Sequence, residues 1–419
     1  MKKVAASILL CTMLGLTACS RNTIEPIDTL VPEEDIKDIE DNTILSTLRT
    51  DGTNLQKSID VTDKIYENTK QNTMFSPTSL NFALGLLNEG AGEGTPSKKA
   101  LTSYLGDNFS EKASTYMNES IKQFNNKGNK NGYNTVLEIA NSVWVSDDYE
   151  LTKTYKQSIQ DKYQAKVDSI DVSKPDKSAK KINDWCSEKT HKLIKGIISP
   201  DKIHSDTTSI LVNSVYFESP WTDEWAVNPE KETETFSNVD GTESEVITLH
   251  NSDGTYFEND KARAFGMGYM SGIEFIGILP NQEGDFKLSD LDIPNLIKDS
   301  KDDVTAIVSM PELNFETTAE LADILNNEEL QYIFKDSKDF IYMYKEEESV
   351  KVSNIIQKTK LELDRYGTKA AAVTAISMDT CSLEPIRNIE EIHLNRPFAF
   401  VIYDRYNDEV LFIGKVTNL

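Results

Sequence analysis

Gly367-Thr368-Lys369-Ala370-Ala371-Ala372-Val373-Thr374 is a run of small residues led by a glycine, placed shortly before a strongly apolar C-terminus. Three consecutive alanines favour a helix, because alanine loses no side-chain entropy there. The β-branched Thr368, Val373, Thr374 and Ile376 suit a strand instead. Read as a strand, the segment carries Thr368, Ala370, Ala372 and Thr374 on one uniformly small face. Such a strand slots between others without overpacking what lies beneath.

Outward from this run, the C-terminus reads as a hairpin, Phe398 to Tyr403 and Glu409 to Val416, joined by a polar turn through Asn407-Asp408. Upstream, Ile210 to Phe217 is apolar on both sides, the pattern of a central strand. Val136 to Val145 alternates as another strand. Between them Ser178 to Ile198 reads as a helix, with Ile182, Trp185, Leu193 and Ile194 inside. A further helix opens with Ser76 as cap and Pro77 at the first position. Leu80, Ala83, Leu84 and Leu87 give it one apolar face, and Gly90 ends it. Helices come first and strands later without a βαβ rhythm, which predicts an α+β fold.

The 419 residues carry a formal charge of −25, which argues against nucleic acid as a partner. The four histidines are scattered without His-x-x-x-His or Cys-x-x-Cys spacing, so neither a transition-metal site nor a cofactor is expected. Gly90 to Gly94 follows a helix, whereas a phosphate cradle precedes one. Cys186, beside Trp185, reads as a buried small hydrophobe.

Met1-Lys2-Lys3 and the apolar run Val4 to Leu16 read as a secretory signal, too short to span a bilayer. The run ends in Leu16-Thr17-Ala18-Cys19, which resembles the lipobox of bacterial lipoproteins. That resemblance implies removal of residues 1–18 and lipidation of Cys19, with the protein held in the bacterial cell envelope by acyl chains alone. Residues 19–52 are acidic and lack an apolar period, as a tether would. The folded domain is expected over 53–419.

Five segments together resemble serpins. Asn72 to Ser79 with Gly90-Ala91 is similar to the family's second helix, and Ile182-Asn183-Asp184-Trp185 to its Ile-Asn-x-Trp helix. Leu211 to Phe217, followed by Trp221, resembles the central strand of its largest sheet and the tryptophan at that sheet's upper end. Arg396-Pro397-Phe398 and Phe412 to Val416 resemble its last two strands. The resemblance implies three β-sheets, a large central sheet A, eight to nine helices and an exposed reactive-centre loop at about 365–392.

It further implies a monomeric suicide substrate for a serine protease, or for a papain-like cysteine protease. The cleaved loop would enter sheet A and trap the acyl-enzyme, a mode of strand addition with release of stored strain. Gly367, Thr368, Lys369, Ala370, Ala371, Ala372, Val373 and Thr374 would then be the hinge. Counting forward from Gly367 places the reactive bond at Cys381-Ser382. Counting back from Arg396 lands near Ile386-Arg387, and Met378 and Leu383 are further alternatives. A small apolar residue at Cys381 points to an elastase-like target.

Three positions depart from the family pattern. Inhibitory hinges commonly carry glutamate where this chain has Arg365-Tyr366 and Lys369, which predicts altered insertion kinetics. Gln357 stands where a histidine is common, and it is expected to join Ser76, Ser79 and Asn213 in a network under the sheet. The competing expectation is a non-inhibitory serpin acting as an envelope binding or structural protein.

Overall fold

The structure, a computed structural model, describes residues 52–122, 125, 135–223, 225–227, 233–327, 329–345, 350, 352–368 and 388–419. Helix α1 (Gly52–Thr69) leads into strand β1 (Thr73–Phe75) and helix α2 (Pro77–Gly90). Ser76 caps α2 as expected: its side chain accepts the Ser79 N–H at 3.2 Å, with Pro77 at the first turn. Leu80, Ala83, Leu84 and Leu87 are all buried.

In chain order the remaining strands are β2 (Val136–Ser146), β3 (Lys166–Ile170), β4 (Ser209–Pro220), β5 (Ala226–Val227), β6 (Thr233–Ser237), β7 (Glu243–Glu258), β8 (Ala262–Gly268) and β9 (Ile273–Pro280). They are followed by β10 (Ser300–Pro311), β11 (Leu313–Glu320), β12 (Asn354–Asp364), β13 (Gly367–Thr368), β14 (Asn388–His393), β15 (Phe398–Asp404) and β16 (Glu409–Val416). Six of them form one sheet in the order β11-β12-β13-β4-β2-β3. The other ten run together because β7 serves two neighbourhoods. Along most of its length it pairs with β6 and β10, and at its C-terminal end with β8.

Both faces of the six-stranded sheet are covered, which is why β4 reads as apolar throughout. Leu211, Val215 and Phe217 of β4 join the main core with α2 and the ten-stranded sheet. On the opposite face Ile210 and Val212 pack with Trp144, Ile182, Trp185 and Cys186. Burial raises the Cys186 thiol to about 11, consistent with an inert core side chain.

The helix expected over Ser178 to Ile198 is instead Pro175–Lys189. Thr190 ends it: its hydroxyl donates to the Cys186 carbonyl at 2.8 Å and accepts the Ile194 N–H at 3.1 Å. His191 and Lys192 then take positive φ angles of 49° and 69°. Leu193 and Ile194 stay buried, so the apolar pattern was real although the backbone leaves the helix.

The C-terminal hairpin hides an acidic cluster. Asp404 and Glu409 face one another across the β15–β16 turn. Glu409 is 2% exposed and its Oε1 accepts the Thr78 hydroxyl of α2 at 2.6 Å. Asp404 Oδ2 accepts from Asn407 Nδ2 at 2.6 Å and from the Tyr116 hydroxyl at 3.3 Å. Burial, reinforced by the charges of Asp404 and Asp408 and opposed by the Thr78 bond, pushes the Glu409 carboxyl up to about 8.

The folded chain therefore keeps a proton that the unfolded chain releases near 4.5, so stability falls as pH rises from about 4.5 to about 8. Glu409→Gln keeps the volume and an acceptor for Thr78. Urea unfolding across this pH range should show a flatter profile for the variant, with the gain over the parent at pH 8. Parallel profiles would contradict the assignment.

Candidate functional site

The site is the gap between β4 and β12. At their lower ends the two strands pair in parallel, from Asn354 opposite Ile210 to Lys358 opposite Ser214. Above that they part, and β13 enters the opening antiparallel to both. Thr368 lies opposite Leu363 on one side and Ser219 on the other, and Gly367 lies opposite Asp364 and Pro220.

The chain reaches this position by a turn at Arg365-Tyr366. The Asp364 carboxylate accepts the Tyr366 N–H at 2.8 Å, and the Tyr366 carbonyl accepts the Trp221 N–H at 3.1 Å. Trp225 N–H donates to the Arg365 carbonyl at 3.2 Å. The Trp221 indole Nε1–H donates to the Asp364 carbonyl at 2.9 Å. Gly367 needs to be glycine: its φ is 149°, and a Cβ would sit 2.7 Å from the Pro220 Cα.

Thr368 is buried, and its hydroxyl lies 2.6 Å from that of Tyr269. The Tyr269 ring stacks on Trp221 at 4.2 Å with 10° between planes. Burial drives the Tyr269 hydroxyl far above its ordinary value, so it is a neutral hydrogen-bonding group. Thr368, the first inward side chain of the expected hinge, is therefore already docked at the top of the gap.

The lower end is held by the chain's polar residues. Gln357 uses both ends of its amide on α2, accepting the Ser76 N–H at 2.8 Å and donating to the Ser76 carbonyl at 2.9 Å. Through Ser76 the clamp reaches the Ser79 backbone. Asn213 lies opposite Gln357 in the parallel ladder, but its amide turns to the other neighbour and donates to Asn141 Oδ1 at 2.6 Å. The expected four-residue network is thus a clamp of Ser76, Ser79 and Gln357 beside a separate Asn213–Asn141 pair. Thr359 strengthens the clamp by donating to the Met74 carbonyl at 2.7 Å.

Tyr269, Asn141 and Thr359 were not singled out from the sequence. Thr359 was open to discovery, since it lies two residues beyond Gln357 on the same strand face. Asn141 shares the parity of buried Leu137 and Ile139 on β2. Tyr269 lies in an irregular link with no periodic signal. Of the hinge, residues 369–374 lie outside the described residues, as do Met378, Cys381, Ser382, Leu383, Ile386, Arg387 and Cys19.

A family model for serpins, serine protease inhibitors, matches residues 53–419. The chain belongs to the serpin family. An uncharacterized serpin-like protein of Methanosarcina acetivorans is 29% identical over 358 residues, covering 83% of this chain and 82% of that protein. Human serpin B4 is 27% identical over 385 residues, with 87% and 98% covered. The crystal structure of tengpin, a thermophilic serpin in its native state, superposes with a TM-score of 0.72 at 26% identity, covering 88% of this chain and 95% of that one. The six-stranded sheet is accordingly the serpin's sheet A, with β4 and β12 as the strands between which β13 begins to enter. The expected second and third sheets are the two parts of the ten-stranded sheet, joined through β7.

Gln357→Leu would leave the buried Ser76 N–H without its partner, while the Ser76 carbonyl keeps the Leu80 N–H at 3.2 Å. A loss of about 1–3 kcal/mol is expected, read as a lower urea midpoint with unchanged slope. A midpoint within error of the parent would show that the amide does not hold the lower end.

Proposed function

We propose that this serpin inhibits a serine protease as a suicide substrate, with an elastase-like enzyme as target and papain-like cysteine proteases as a second class. The family generally inhibits serine proteases. The single observation that carries the inhibitory reading is the docked hinge. Gly367 and Thr368 already pair on both sides at the top of sheet A, and Thr368 faces inward. The next inward residues in sequence, Ala370, Ala372 and Thr374, are small enough to follow it.

In the proposed reaction the enzyme's serine oxygen or cysteine sulfur attacks the Cys381 carbonyl carbon. The Cys381–Ser382 amide bond breaks, and the Ser382 amine takes a proton from the enzyme's general acid and leaves. The new acyl end, freed from Ser382, is drawn along sheet A as residues 369 onward pair with β4 and β12. Displacement of the attached enzyme before water arrives leaves the ester or thioester intact.

The Leu16-Thr17-Ala18-Cys19 sequence supports an envelope lipoprotein, with residues 19–52 as tether between the acyl chains and the serpin body. The protein would act there as a monomer, against a protease met at the bacterial surface or in the periplasm.

Incubation with an elastase-like enzyme should give a complex that survives a denaturing gel. Mass spectrometry of the released C-terminal fragment should find a new terminus at Ser382; a terminus at Asn388 would move the reactive bond to Arg387. Ala372→Arg, on the inward face, should turn the inhibitor into a cleaved substrate with no complex. Clean cleavage of the parent by every protease tried would favour the non-inhibitory reading.

A further inference from the structure

The register of β13 assigns partners to residues that follow it. Pairing continued by one residue places Lys369 opposite Glu218 of β4 and Glu362 of β12. These two glutamates alternate with buried Ser219 and Leu363, so they stand on the sheet's outer face, the face Lys369 would also take. Directly opposed side chains across strands lie about 4.5–5.5 Å apart at Cβ, close enough for an ion pair.

That face is rich in carboxylate. Glu218 accepts the Tyr216 hydroxyl, and Glu362 is bridged to Lys360 at 2.6 Å. Glu138 of β2, opposite Tyr216, lies 3.2 Å from His191 Nε2, and the His191 ring lies 4.5 Å from that of Tyr216. Burial first, then the Glu218 hydrogen bond and the charges of Glu218, Glu138 and Glu362, push the Tyr216 hydroxyl far above its ordinary value.

The same register gives a second prepared partner farther down. Thr374 would fall between Asn213 and Gln357. Asn213 is 3% exposed, its Nδ2 is committed to Asn141, and its Oδ1 has no hydrogen-bond partner among the described residues. A threonine hydroxyl arriving there supplies the missing donor.

We propose that Lys369 is a specificity-determining residue of loop insertion: sheet A holds an acidic receptor for it, formed by Glu218 and Glu362, so the hinge and the sheet are charge-matched in this chain. The glutamate that inhibitory hinges commonly carry would meet two like charges here. The lysine turns the same position into an attraction, which gives a direction, faster insertion, to the altered kinetics expected from the sequence departure. The proposal rests on the insertion reading above, and its test is chosen to separate the two.

The intact protein is incubated with a synthetic peptide of residues 368–381, bearing either Lys or Glu at the position of 369. Incorporation into sheet A is followed by native gel and by thermal stability. The Lys peptide should incorporate about tenfold faster at low ionic strength, and the advantage should shrink as salt rises. In a Glu218→Gln, Glu362→Gln protein the two peptides should incorporate at the same rate.

Equal rates in the parent protein would overturn the proposal, as would failure of both peptides to enter. A clear Lys preference without any protease complex would sink the inhibitory reading and leave the receptor standing. Lys369→Glu in the full chain is the matching variant. It should lengthen the time to complex formation and raise the fraction cleaved as substrate, and adding Glu362→Lys should reverse both effects.

Discussion

Sheet A is organised around an incomplete strand pairing. β4 and β12 share a parallel ladder that stops at Lys358 and Ser214, and pairing resumes only where Gly367 and Thr368 bridge them at the top. Between these levels, Thr359–Glu362 of β12 and Val215–Glu218 of β4 have no described strand on their facing edges. Each strand is satisfied on its other side, β12 by β11 and β4 by β2. A strand edge left open inside a sheet is a template for one more strand. At about 1 kcal/mol net per hydrogen bond, filling it yields free energy on the scale of a domain's whole stability, roughly 5–15 kcal/mol.

The lower half of the gap is kept shut from both faces. Beneath the sheet, Gln357 and Thr359 fasten β12 to Ser76 and Met74, next to the capped end of α2. Over the sheet, the segment after Pro175–Lys189 lays Ile194, Ile197 and Ile198 against Ile210, Val212 and Ile356. That segment is itself tied down by Asn183, whose Oδ1 accepts the N–H groups of Ile197 at 2.8 Å and Ile198 at 3.0 Å. On the proposed insertion, an entering strand would have to break five parallel pairs and pass beneath this clasp. Such a barrier would be local, built from hydrogen bonds and apolar contacts that the inserted state could replace, and it would hold the native state kinetically.

Local chemistry made much of this legible in the sequence. Ser76 and Pro77 announce their helix because an orphan N–H needs a cap and proline needs a position without one. β4 announces itself because both its faces are covered. The helix end at Lys189 was missed because Leu193 and Ile194 keep an apolar spacing that a non-helical clasp satisfies equally well. The Asn213–Asn141 pair was missed because an amide's choice between two neighbouring strands depends on register, which pattern alone does not supply. The receptor proposed for Lys369 was hidden for the same reason: Glu218 and Glu362 lie far apart in sequence, and only the register of β13 between β4 and β12 points to them together.

The central claim is that the gap between β4 and β12 is a vacant strand position for the chain's own loop. Its most direct test is the thermal unfolding midpoint of the protein before and after a single proteolytic cut between Ser377 and Arg387. Insertion of the freed strand predicts a large upward shift in the midpoint on cleavage, with the two fragments remaining associated. An unchanged or lowered midpoint would contradict it.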